Sequence, residues 1–137
     1  MKNYNKFIAI LFALASTITL TSCATSYGQS GFFSRGGLKE TKISENTYKI
    51  ESGGSEYTRL QTTYEYAMRR SAELAASKGY DYFIILDKKT MMVDNSFDTA
   101  YGMRTVIQPD TILKVQFVKS QVSGAYSAKK VLAQFTN

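Results

Sequence analysis

The chain has no histidine and no tryptophan, and only one cysteine and one proline among its 137 residues. Without histidine, catalytic triads built on an imidazole base are excluded, and so are most zinc sites. A single thiol cannot close an intramolecular disulfide, so the fold must rest on core packing alone. Basic residues never run longer than two, which argues against a nucleic-acid partner. Ten tyrosines and eight phenylalanines supply the aromatic content and favour β-rich packing. No cofactor is implied by any stretch of the chain.

The cysteine has a specific setting. Lys2 and Lys6 precede an uncharged run from Phe7 to Leu20, 14 residues long. That run suits a secretory signal and falls short of the roughly 20 apolar residues a membrane span needs. It ends in Leu20-Thr21-Ser22-Cys23, which looks like a bacterial lipobox, where the thiol is diacylated and the chain is cut before it. An ordinary signal peptide with a chance cysteine is the competing reading. One acyl chain binds a membrane only marginally, whereas two or three hold it stably. Ala24 stands where an Asp would favour inner-membrane retention, so the expected address is the outer membrane, facing the periplasm. The membrane is therefore an expected partner, through lipid on Cys23.

Removal of residues 1–22 leaves 115 residues and takes away two of 17 basic side chains, lowering the net charge from +6 to +4. That length holds one domain with a real core. Ala24 to Gly37 contains four glycines and three serines in 14 residues. It reads as a flexible tether with a reach of about 20 Å. The domain organisation is thus a signal peptide (1–22), lipidated cysteine and tether (23–37) and a folded domain (38–137). Phe32-Phe33 is the tether's apolar spot, read as docking on the domain or bilayer, or as a partner motif.

Leu38–Ile43 and Thr47–Glu51 flank the turn-prone Ser44-Glu45-Asn46 and read as a β-hairpin. Gly53-Gly54 breaks the second strand. Thr58 with Gln61 fits a capping box, and Leu60, Tyr64, Ala67, Ser71 and Leu74 recur at helical spacing. Gly79 ends that helix, and Tyr80–Leu86 reads as a buried strand, giving a β-α-β unit. Thr90–Val93 and Met103–Ile107 read as a long hairpin with its tip near 94–102, or else as an irregular excursion. Pro109 calls for a bulge, an edge or a break. Ile112–Lys119 alternates and should pair antiparallel with Tyr80–Leu86. Ser127 caps a last short helix whose apolar stripe is Ala128, Val131, Leu132 and Phe135. The expected fold is a single α+β domain, β-β-α-β-β-α, with two helices on one face of a mostly antiparallel sheet.

Several stretches resemble a family of small bacterial envelope lipoproteins of unknown function. They are Glu45-Asn46-Thr47-Tyr48, Gly54 with Tyr57-Thr58, Ala72-Glu73-Leu74 and Gly79-Tyr80-Asp81-Tyr82-Phe83. Ala125-Tyr126-Ser127-Ala128-Lys129-Lys130-Val131-Leu132 is a further echo. Members often carry a Gly/Tyr-rich insertion where this chain has Lys88–Asp110. The resemblance implies an envelope role and supplies no catalytic residues.

Candidate sites are few. Gly53-Gly54 before a helix can present N–H groups to an anion or simply make a turn. Met91, Met92 and Met103 have the chemistry to hold a soft ion, but alternation sets the first two on opposite faces. Asp81 with Asp87, or Glu65 with Glu73, invites an acid/base reading, but neither pair has the surrounding signals of a hydrolase, and surface or capping roles explain both adequately. Arg69 and Arg70 resemble the helix arginine with which outer-membrane-protein-A-type domains grip peptidoglycan, but the upstream Asp is missing. Phe97, Tyr101 and Met103 near the hairpin tip are partner contacts or fold back on the sheet. The expected function is a non-catalytic envelope interaction or structural module. It would be bound to an unknown envelope protein or to peptidoglycan; a peptidoglycan- or small-ligand-binding module is the alternative.

Overall fold

The structure, a computed structural model, describes residues 37–136. The signal segment, Cys23, Ala24, Phe32-Phe33 and the tether up to Gly36 lie outside the described residues. Gly37, expected in the tether, is the first residue of strand β1 (Gly37–Lys42) and sits opposite Gly53. Strand β2 (Thr47–Gly53) returns antiparallel to it. The turn between them is held by the N–H groups of Ile43 and Ser44, which donate to the Thr47 carbonyl at 2.9 and 3.1 Å.

Helix α1 spans Leu60–Ser77 and buries Thr63, Ala67, Met68, Ser71, Ala72, Leu74 and Ala75. Four of these are alanine or serine, so the helix can lie close to the sheet. The capping box does not form. Arg59 is the N-cap and makes no side-chain cap, while the Thr58 hydroxyl accepts from the Ser55 N–H and Gln61 donates to Glu65. Thr58 closes the preceding turn, so its oxygen is already used one residue too early to cap the helix. At the other end Gly79 adopts φ 80°, as a C′ glycine should, and the Tyr80 N–H reaches back to the Ala75 carbonyl at 2.9 Å.

Strands β3 (Tyr82–Thr99) and β4 (Gly102–Val118) are continuous and pair along their whole length. The four short segments read from the sequence are therefore two long ones, turned by Ala100 and Tyr101 alone. Tyr82–Ile85 does pair antiparallel with Val115–Val118, as expected. A bulge between Ile85 and Asp87 shifts the register by one, which turns Lys88, not Asp87, toward the helix side. A three-residue strand β5 (Ala125–Ser127), absent from the sequence reading, pairs with Tyr82–Ile84. Helix α2 (Ala128–Ala133) follows at once, its Ser127 cap accepting from the Lys130 N–H at 3.3 Å.

The fold is α+β, with two helices and a five-stranded antiparallel sheet in the order β1-β2-β4-β3-β5. β2 and β3 run the same way, joined through α1, but β4 lies between them. The β-α-β unit is thus split by a strand that comes later in the chain. α1 packs across β2, β4 and β3, and α2 docks on α1. Phe83, Phe117, Ile50, Leu113 and Val115 are fully buried beneath α1, each contributing about 1.5–3 kcal/mol by leaving water. Tyr48 stacks on Phe117 with ring centroids 5.2 Å apart.

Candidate functional site

β2 leaves β4 at the Gly53–Asp110 pair, yet β3 and β4 continue to Thr99 and Gly102. Eight residues of β3 therefore run past the end of β2 as a two-stranded arm of roughly 27 Å. A lone hairpin is marginal in water, so the arm needs support. The segment after β2 provides it on one side. Gly54 donates to the Pro109 carbonyl at 2.9 Å, and Glu56 accepts from Arg104 at 2.7 Å. Ser55, Glu56 and Tyr57 with Phe97, Arg104 and Val106 line a small cleft of about 200 Å³, and Val106 is buried there. Pro109 fits because its carbonyl, and hence its missing N–H, faces away from β3 toward that segment. Side-chain pairs complete the arm: Asn95 with Gln108 at 2.8 Å and Ser96 with Thr105 at 2.9 Å.

Alternation then separates the tip residues. Phe97 points to the supported side and is half-buried, whereas Met103, on the opposite side, is 74% exposed. Tyr101 in the turn is fully exposed. Met92 and Ile107 share the side of Met103 and are also exposed. The three residues singled out at the tip therefore divide: Phe97 folds back, and Tyr101 and Met103 do not. Ile107 was not singled out, and Met92 only as a soft-ion candidate, because each sits beside another apolar residue (Val106 for Ile107, Met91 and Val93 for Met92), so no alternation shows which side stays uncovered. Aromatic and thioether side chains on a projecting support suit contact with a protein partner.

The other candidates do not converge. Arg69 pairs with Glu73 at 3.0 Å and lies 5.5 Å from the Phe135 ring centroid. Arg70 bridges Glu73 at 3.3 Å and Glu40 of β1 at 2.8 Å, tying α1 to the sheet edge. Glu73 is thus held by two arginines, while Glu65, two helical turns away, accepts from Gln61 at 3.1 Å. Asp81 and Asp87 are six residues apart along extended chain, about 20 Å; Asp87 sits opposite Lys114. Met91 faces the other side of the sheet from Met92 and Met103. Gly53 is still paired within β2 and the Gly54 N–H is spent on Pro109, so this glycine pair continues the sheet rather than breaking the strand or cradling an anion. Among the described residues, no group of three potential metal ligands comes together.

Two further features were not legible from spacing. On the sheet face away from α1, Glu51 and Asp110 approach across β2 and β4. Burial raises the Asp110 carboxyl above its usual range, and the Glu51 charge adds to this, partly opposed by the Thr111 N–H and Lys89. Glu51 Oε1 is 3.2 Å from Lys49, while its buried Oε2 makes no hydrogen bond and is 3.7 Å from Lys39. The second feature is a cleft of about 640 Å³ where the end of α1 meets α2, lined by residues such as Tyr80, Asp81, Tyr82, Lys129 and Leu132.

Among the described residues no helix is long and apolar enough to cross a membrane. No family model, curated protein or solved structure matches the chain.

Proposed function

We propose that this protein is a lipid-anchored envelope module that acts by binding rather than by catalysis, with its β3–β4 arm as the contact element. The observation that carries the reading is the arm itself, which holds Tyr101 and Met103 exposed well beyond the body of the sheet. An apolar side chain kept in water on a braced support is costly unless a partner covers it. The anchor belongs to the same reading: Cys23 bears the lipid, the chain faces the periplasm from the outer membrane, and a tether of about 20 Å keeps the domain near its membrane. The resemblance to small envelope lipoproteins points the same way. Both helices on a single face of the sheet is the finer arrangement we infer, because Ala128 and Val131 of α2 join the same buried cluster as α1 and the strands.

Photo-crosslinking in cells from position 101 or 103 should trap a discrete protein adduct, and position 97 should trap much less. Equal yields from all three positions, or no adduct, would contradict the assignment.

The cleft between α1 and α2 favours a second reading, binding of a small ligand. Its volume of about 640 Å³ falls within the usual range for ligand pockets. Peptidoglycan recognition by Arg69 and Arg70 is weaker, since both guanidinium groups already hold carboxylates of the chain itself. Sedimentation with purified peptidoglycan, lost in an Arg69→Ala/Arg70→Ala variant, would restore it.

A further inference from the structure

β5 borders β3 only from Tyr82 to Ile84. Past the bulge at Leu86, no described strand lies along the outer edge of β3 as far as the turn at Ala100. This is a long open edge, and its hydrogen-bonding groups can be assigned. The Pro109 carbonyl accepts from Gly54, on the side of β4 away from β3. Even-numbered residues of β4 therefore turn their backbone groups toward β3, and by the observed register they meet the odd-numbered residues there. Lys88, Thr90, Met92, Asp94, Ser96 and Asp98 direct their N–H and C=O groups outward.

Edges of this kind are usually guarded by lysines and bulges, and Lys88, Lys89 and the bulge fit that role. Here, however, the guard is matched by opposite charge at the far end of the same edge. Lys88 lies five residues before Val93 and Asp98 lies five residues after it. We propose that the edge from Lys88 to Asp98 pairs antiparallel with the same edge of a second copy of this chain, about a two-fold axis at Val93. In that register each Lys88 faces the other copy's Asp98, and every outward backbone group meets its counterpart. Residues of one face meet residues of the same face, so the two sheets join into one.

Neighbouring registers fit worse. Moving the axis to Met92 sets Lys88 against Ser96 and Asp98 against Leu86 at the bulge, so the charges no longer meet and the far end of the edge is out of step. Moving it to Asp94 sets the two Asp94 carboxylates against each other and carries Lys88 to Ala100, past the end of the opposing strand. A parallel alignment places lysine on lysine. Lys88 Nζ also lies 4.6 Å from the Tyr64 ring centroid, and its side chain stays exposed enough to reach across.

At the axis, the two Val93 residues would form a non-hydrogen-bonded pair, with Cα atoms about 4.5 Å apart, within disulfide range. The test is a full-length Val93→Cys variant, mildly oxidised in its own membrane and run without reductant. A disulfide-linked homodimer is expected, absent from the parent chain and from a Lys49→Cys control. Lys88→Asp should reduce the dimer fraction about fivefold, because like charges then face each other twice. Adding Asp98→Lys should restore it, which also shows that the variants fold. The proposal is overturned if Val93→Cys gives no more dimer than the control. It is equally overturned if the charge variants do not change the yield in this order, or if position 93 links only to other proteins.

Discussion

The hydroxyl oxygens of Thr63 and Thr111 lie 2.9 Å apart in a fully buried contact between α1 and β4. Thr63 has one hydroxyl hydrogen, and the Leu60 carbonyl at 2.8 Å takes it. Thr111 must then donate to Thr63. The two are unequal partners: Thr63→Val leaves a buried donor with no acceptor, whereas Thr111→Val leaves the Thr63 donation intact. We expect about 1–3 kcal/mol of destabilisation from the first change and less than about 1 from the second. The double variant should recover part of the loss. Urea unfolding midpoints of the three variants measure the order directly.

Gly54 is required for space. A Cβ there would stand 2.6 Å from Thr58 Cβ and 2.8 Å from Pro109 Cγ, with little room for either to move. Gly54→Ala should cost about 1–3 kcal/mol through overpacking. The damage should concentrate in the arm, because the Gly54–Pro109 hydrogen bond is its first brace. Faster amide exchange at Val106 and Gln108 than at Val115 is the expected signature.

Asp110 confers a definite pH trend. Its carboxyl is raised above the ordinary value of 3.8, so the folded chain holds that proton more tightly than the unfolded chain does. The stability from this group is complete below 3.8 and is lost as pH rises through the raised value. Asp110→Asn should flatten that fall and leave the protein more stable near neutral pH. Thermal melts of both proteins across the acid range check the sign; a steeper fall in the variant would contradict it.

The arm separates binding from folding. Tyr101→Ala and Met103→Ala should each change stability by less than about 0.5 kcal/mol, since neither side chain is covered. Phe97→Ala should cost about 1–2 kcal/mol, because that ring is half-buried against the supporting segment. Loss of partner adducts with unchanged melting in the first two variants is the combined result expected.

What could be read from the sequence was local. The alternation of Tyr48 with Ile50 and of Leu113 with Val115 reports burial on one face, and the structure places all four under α1. Gly79 and Ser127 mark helix ends by chemistry confined to a few residues, and both do so here. What escaped was set by distant partners. Nothing in β2 or β3 announces that β4 will insert between them. β5 is three residues long and exists because Phe83 and its neighbours present an edge to it. The arm was legible as a long hairpin with its tip near 94–102, but not its continuity with the flanking strands, because a two-stranded ribbon is mostly exposed and burial imposes little pattern on it. The Glu51–Asp110 pair depends on a cross-strand register that no spacing encodes. Thr58 misled because its hydroxyl serves a turn with the chemistry of a helix cap.

Acylation of Cys23 decides whether the domain is held at a membrane at all. Cells expressing the full-length chain should be labelled with radioactive palmitate, and the chain then recovered and fractionated. Label on the parent chain and its recovery with the outer membrane are expected, with neither in Cys23→Ser. An unlabelled parent chain, or a Cys23→Ser variant that partitions with the membrane as the parent does, would contradict attachment through Cys23.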